Sequence, residues 1–425
     1  MRLSHLVRLA TLGCACFLSA CSPGTPDVSE VLDSYRAVAH AAYAESHARA
    51  VTLAQRVEDL VAAPGPDTLA AARQAWRAAR VPYSQSEGLR FGNWFVDEWE
   101  TRVNAWPVDE GFIDYVADGY AASEANRHSR LSVVTAPAVT IGGRTIELEP
   151  LSWAKLEGLH ALSDHESNVA TGFHTIEFLL WGQDLHGHTP GAGERPWTDY
   201  SRDAATCTDG PRRAPLAHCQ RRGAYLITSA HYLAHQLTLM RARWADAEGS
   251  YGDRLVRGDA KEGLRRALFG LASMSGEELA SERMQVALMA GSPEEEQDCF
   301  SDDTHQSLYF NAVGIENLYR GRFGEQTFSP SLSDLAQAVN PELAKRIDRA
   351  LTDTRDSLQA IREAADTGRP FDVLIAPDAH EGHALIRTAM AHLHAQTAAF
   401  EALGEALQLG DLNPQAPRGV PERDS

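Results

Sequence analysis

Gly172-Phe173-His174-Thr175-Ile176-Glu177-Phe178-Leu179-Leu180-Trp181-Gly182 is an apolar run bounded by glycines, with one imidazole and one carboxylate inside it. Its length and composition predict a buried helix, here read from Asn168 to Trp181. Residues three apart share a helix face, so His174 and Glu177 converge on one point. Two readings of that point stay open. It is a metal site, or it is a buried His-Glu hydrogen bond that locks two helices together.

Outward from this run the chain reads as further helices. Residues 31–63 show apolar positions at spacings of three and four, and Pro64-Gly65-Pro66 ends them. Asp67-Thr68 caps a helix through Ala79, and Pro82 is expected to interrupt it before Tyr83, Glu87 and Leu89. Phe91 to Tyr120 reads as an ordered connection, and the β-branched stretch Val133–Leu148, centred on Gly142-Gly143, as a small hairpin. Helix is expected again from about Leu151 and over 222–246, 258–271, 276–290, 304–319, 341–365 and 378–407. Ile176-Glu177-Phe178-Leu179-Leu180-Trp181-Gly182 is echoed by Ile315-Glu316-Asn317-Leu318-Tyr319-Arg320-Gly321, which suggests a duplicated helical unit. His174 aligns with Val313 in this echo, so a single site between the halves is expected rather than two.

The N-terminus has a secretory pattern: Arg2 and Arg8, an uncharged stretch, then Leu18-Ser19-Ala20-Cys21, which resembles a bacterial lipoprotein box. Residues 1–20 are read as signal peptide, Cys21 as the lipidated first mature residue, and 21–30 as a tether. Ser22 after the cysteine points to the outer rather than the inner membrane. Loss of Arg2 and Arg8 takes the formal charge from −19 to −21, which disfavours nucleic acid and suits a cation ligand. In an oxidising compartment Cys207 and Cys219 are the simplest disulfide, leaving Cys299 over. The Pro-rich, charged tail, 408–425, is expected to be disordered.

An imidazole and a carboxylate supply at most two ligating residues, so a metal needs more. Glu87, an acid among Tyr83, Leu89 and Phe91, is the preferred third ligand, with a solvated turn carboxylate as the alternative. Nitrogen and oxygen donors without thiolate suit iron, zinc, copper or manganese. The His-Glu-x-x-His pattern of zinc peptidases is absent: His165-Glu166 lacks its second histidine, and His380-Glu381-Gly382-His383 has the wrong spacing. His231 with His235, and His392 with His394, read as structural or exposed pairs. Dinucleotide, Walker and nucleophile-elbow signatures are also missing.

Asn168 through Asp184 resembles the Gly-x-His-x-x-Glu core of the imelysin family, which takes in insulin-cleaving membrane protease-like and iron-regulated protein A-like lipoproteins. Phe91-Gly92-Asn93 through Val103-Asn104-Ala105-Trp106-Pro107 resembles the family's Trp-rich connection; Ser275–Met284 and Cys299–His305 resemble its second-half motifs. The resemblance spans about Val31 to Leu407. It implies an all-α fold of two related four-helix-bundle halves, about 31–200 and 215–407, with the hairpin as an excursion. It further implies a lipid-anchored periplasmic protein that binds iron, with zinc as the alternative, through His174, Glu177 and Glu87, and works with an iron-transport partner. Glu282, Arg283 and Asp302 are candidates to line the same cleft. A metal-dependent peptidase and a non-enzymatic binding scaffold are the competing functions.

Overall fold

The computed structural model describes residues 24–120, 125–141, 143–410 and 412; the expected signal peptide, Cys21 and nearly all of the tail lie outside them. The described chain is mostly α, and its sheets are two-stranded hairpins only. Helices Val28–Ala62, Pro66–Ser84, Phe173–Trp181 and Leu216–Arg243 pack on one another. A second set comprises Thr304–Arg320, Pro341–Asp366, His380–Ala406 and the rod that begins as Ala260–Ser273. Val28–Ala62 reaches into the second set, and Pro66–Ser84 lies against Thr304–Arg320, so the core runs continuously across both.

The Phe173–Trp181 helix is buried on every side, as its uninterrupted apolar composition requires. Burial of Phe173, Ile176, Phe178, Leu179, Leu180 and Trp181 stabilises by roughly 1.5–3 kcal/mol each. That gain offsets the cost of taking an imidazole and a carboxyl into the core. The helix begins five residues later than its pattern suggested, because Gly172 stands at φ +96° and ψ −171° and breaks the helical path. Its terminal carbonyls are satisfied from outside: Arg73 donates to Leu180 O (3.1 and 3.0 Å), Arg195 N to Trp181 O (2.7 Å), and the Tyr200 hydroxyl to Leu179 O.

Three expectations need correction. Helix Pro66–Ser84 runs through Pro82 instead of stopping before it. Pro82 falls in the last turn, where its missing N–H costs one bond at a fraying end. The presumed connection after Phe91 contains a helix, Trp94–Asn104, that delivers Glu100 and Asn104 to the interior. Residues Met274–Gln285 wind as a π-helix before α-helix resumes at Val286–Ala290, a distortion that apolar spacing does not signal.

The hairpin pairs Ala138–Ile141 with Arg144–Glu147. A disulfide joins Cys207 to Cys219. Both members of the internal echo end their helices on left-handed-region glycines, Gly182 (φ +72°) and Gly321 (φ +65°). Glu316, the counterpart of Glu177, instead gathers Arg320, Arg322 and Arg355 at 2.7–2.9 Å. No helix among the described residues is long and apolar enough to cross a membrane.

Candidate metal centre

His174 and Glu177 meet as their spacing requires, with Nδ1 to Oε2 at 2.9 Å. Both are buried, at 1% and 0% exposure. The other Glu177 oxygen, Oε1, accepts from the Ser301 N–H at 2.9 Å and the Ser301 hydroxyl at 2.7 Å. The third member of the group is Asp298, whose Oδ1 stands 3.7 Å from His174 Nδ1. One ligand atom from each of the three lies within 4.8 Å of the others. Donors on a single ion at about 2.0–2.2 Å sit roughly 3–3.5 Å apart, so this spacing fits one shared cation.

Arg80 is the built-in counter-charge. Its Nη2 approaches Asp298 Oδ1 to 2.9 Å and donates to Oδ2 at 3.3 Å, while Nη1 donates to Asn104 Oδ1 at 2.5 Å. The guanidinium also lies 5.1–5.7 Å from the rings of Phe173, Trp76 and Tyr83. Three polar atoms at the site remain without a hydrogen-bond partner: Arg80 Nε, His174 Nε2 and Asp298 Oδ1, the ion-paired oxygen towards which no N–H points. Buried orphans of this kind are uncommon in stable proteins; Asp298 Oδ1 faces the point shared with His174 Nδ1 and Glu177, where a cation would complete it, whereas His174 Nε2 is on the other side of the ring.

Burial first, and the Arg80 charge second, pull the His174 pKa down to about 4, so the imidazole is neutral and able to ligate at neutral pH. Burial and the neighbouring Asp298 raise Glu177 well above the ordinary carboxylate range, against the opposing pull of Ser301 and Arg80. The shift is in the direction that favours the protonated carboxyl, so an arriving cation competes with protonation at Glu177.

Glu87 is not in this group. It receives Arg283 Nη2 at 2.8 Å, Asn311 Nδ2 at 2.6 Å and Asn104 Nδ2 at 3.1 Å. Burial would raise its pKa, but Arg283, then Arg80 and Asn311, outweigh burial and bring it to about 2. Glu87 thus touches the triad only through Asn104 and Arg80, as a second layer that orients the counter-charge. Arg283 is buried against Glu87, whereas Glu282 points to solvent from the π-helix. Asp302 lies one residue past Ser301 in a different acidic cluster, with Asp184 and Asp372.

Sequence reasoning missed Asp298 and Arg80. Asp298 directly precedes the Cys299–His305 motif, so proximity to that motif was the available signal; Arg80 had none beyond its place one turn after Trp76. The His231/His235 pair is otherwise engaged. His231 bonds Glu58 at 2.7 Å, and His235 stacks on Trp153 at 4.8 Å.

Residues 39–400 match the imelysin family model. The chain belongs to the imelysin family. Among its relatives, the iron-regulated protein A of Synechococcus elongatus is 23% identical over 333 residues, covering 76% of this chain and 73% of that protein. A crystal structure from Parabacteroides distasonis, of a candidate iron-regulated protein A precursor, superposes with a TM-score of 0.63 at 19% identity, covering 91% of this chain and 97% of the other. An imelysin-like protein from Psychrobacter arcticum gives 0.53 at 16% identity, over 89% and 96% of the two chains. These two structures show that this imelysin shares their fold.

Proposed function

We propose that this imelysin is a lipid-anchored protein of the bacterial cell envelope that binds a metal ion, iron in the first place, and presents it to an uptake partner. The observation that carries the reading is the buried triad of His174, Glu177 and Asp298, with the unpartnered Asp298 Oδ1 and donors spaced for one ion. A nitrogen and two carboxylate oxygens form a mixed donor set that accommodates iron, and zinc as the alternative. The name of the Synechococcus relative supports iron over other metals, and the lipoprotein-box pattern supports the envelope.

Arg80 tunes this binding. Its fixed charge beside Asp298 opposes a cation, so the triad holds metal less tightly than the same three ligands alone would. Moderate affinity suits a protein that hands its ion on. Peptide cleavage has less support, because the three side chains are 0–1% exposed and offer a peptide bond no direct approach.

Purified protein and its His174→Ala and Glu177→Ala variants, loaded with ferrous or ferric iron and dialysed, test the reading by metal analysis. Occupancy near one ion in the parent and loss in both variants is the expected result. Equal occupancy in all three would remove the triad from metal binding.

A further inference from the structure

A second carboxylate cluster lies beyond the far end of the Phe173–Trp181 helix. Asp184 follows Gly182, Asp302 sits in the 297–303 loop, and Asp372 belongs to the short helix Phe371–Leu374; their oxygens lie within 4.8 Å of one another. Glu296, 1% exposed, lies near enough for its charge to bear on all three.

Their hydrogen bonding is incomplete in a specific way. Asp184 Oδ1 accepts the His186 N–H at 2.9 Å and lies 2.8 Å from His186 Nδ1, and Asp302 Oδ2 accepts the Gly191 N–H at 3.2 Å. Asp302 Oδ1, both oxygens of Asp372 and both oxygens of Glu296 have no partner, although Asp372 is fully buried. His188 does not reach the Asp372 carboxylate: its Nδ1 bonds the Asp372 backbone carbonyl at 2.8 Å and its Nε2 bonds Gly291 O at 3.1 Å. Among the described residues no arginine or lysine pairs with any of the four acids. Four acids in so little water, with five unpartnered oxygens, require protons or a cation.

We propose that Asp184, Asp302 and Asp372 form a second cation site, distinct from the His174 triad, that takes a hard divalent ion of the calcium or manganese class, with the buried Glu296 adding negative charge nearby. The donors are all oxygen, which selects such ions over those that favour imidazole or thiolate. Carboxylate oxygens up to 4.8 Å apart can surround an ion bound at about 2.3–2.6 Å. The ion ties the Phe371–Leu374 helix to the segment after Trp181 and to the 297–303 loop. That loop also supplies Asp298 and Ser301 to the first centre, so the second ion braces the triad.

The test uses the chelator-treated protein carrying His174→Ala and Glu177→Ala, which removes the triad. Calcium chloride by calorimetry and manganese chloride by electron paramagnetic resonance are expected to show one bound ion in that background. Adding Asp302→Asn or Asp372→Asn should weaken binding at least ~10-fold, since loss of a direct ligand should cost no less than loss of an outer-shell partner. Calcium should raise the melting temperature of the parent and leave the Asp372→Asn variant unmoved. Asp302 is partly exposed, so its variant keeps the test valid if Asp372→Asn unfolds. Ion binding unaltered by both Asn changes, or no binding once the triad is removed, overturns the proposal. Iron lost at the triad with calcium retained here separates this site from the function proposed above.

Discussion

Replacing Gly172 with alanine should unhinge the start of the helix that carries His174 and Glu177. Two separable costs add at this position. The backbone angles, φ +96° and ψ −171°, lie in a region that is essentially glycine-only, which costs a side-chain-bearing residue about 1–3 kcal/mol. A Cβ there would also stand 2.5 Å from Val103 O and 2.6 Å from Val103 C, backbone atoms at the end of Trp94–Asn104 that cannot rotate away. Overpacking of this kind adds roughly 1–3 kcal/mol, for a sum of about 2–6 kcal/mol. A positive-φ control without the contact is Gly187, with φ +61° and nothing within 4 Å of its virtual Cβ, so Gly187→Ala should lose only about 1–2 kcal/mol. Urea denaturation followed by circular dichroism compares parent and both variants, with the denaturant slope checked for constancy. Gly172→Ala should also bind metal more weakly, because His174 follows two residues later. A loss in Gly172→Ala no larger than in Gly187→Ala would refute the backbone-contact argument.

Asp114 receives Arg222 at 2.6 and 3.1 Å and Arg195 at 2.8 Å, all three buried, so Asp114→Ala should cost about 3–5 kcal/mol in the same denaturation assay. A loss under ~1 kcal/mol would mean that Asp199 and Asp209 suffice for both guanidinium groups. The Cys207–Cys219 bridge closes a loop at a sequence separation of 12, and the paired Ser variant should lose roughly 2–4 kcal/mol; an unchanged unfolding midpoint would deny the bridge a stabilising role. Burial, then Arg102, lowers His160 from 6.5 to about 4, and its Nδ1 accepts the Ala170 N–H at 3.4 Å. A depressed histidine stabilises while neutral, so this contribution is complete above pH 6.5 and fades as pH falls to about 4. At about 1.4 kcal/mol per unit it amounts to roughly 3 kcal/mol. His160→Asn should flatten the stability profile in that window, and a profile as steep as the parent's would exclude His160 as a source.

The fold was legible where local pattern and burial coincide. Helices such as Thr304–Arg320 and Pro341–Asp366 follow three-and-four spacing closely, and the two glycines at 142 and 143 announce their hairpin. The π-helical stretch is different, since Met274–Gln285, which carries Arg283 to Glu87 across the core, leaves no mark in the apolar periodicity. Within the site, the His174–Glu177 pair is a local fact of helix geometry and could be read directly. Asp298 comes from 121 residues further along the chain than Glu177, on a loop without regular spacing, so nothing local ties the two. Glu87 was a reasonable candidate as an acid in apolar company. Its company turned out to include Arg283, which answers its charge without a metal. Arg80 is the harder omission, because a buried guanidinium beside a cation site runs against simple charge matching, and its partners Asp298, Asn104 and Ser307 come from distant segments.

Crystals of the iron-loaded protein, with diffraction measured on either side of the iron absorption edge, test the central claim most directly. The account predicts one strong anomalous peak within bonding distance of His174, Glu177 and Asp298, with the Arg80 guanidinium drawn back from Asp298. Iron found only among Asp184, Asp302 and Asp372, or bound nowhere inside the helical core, would contradict it.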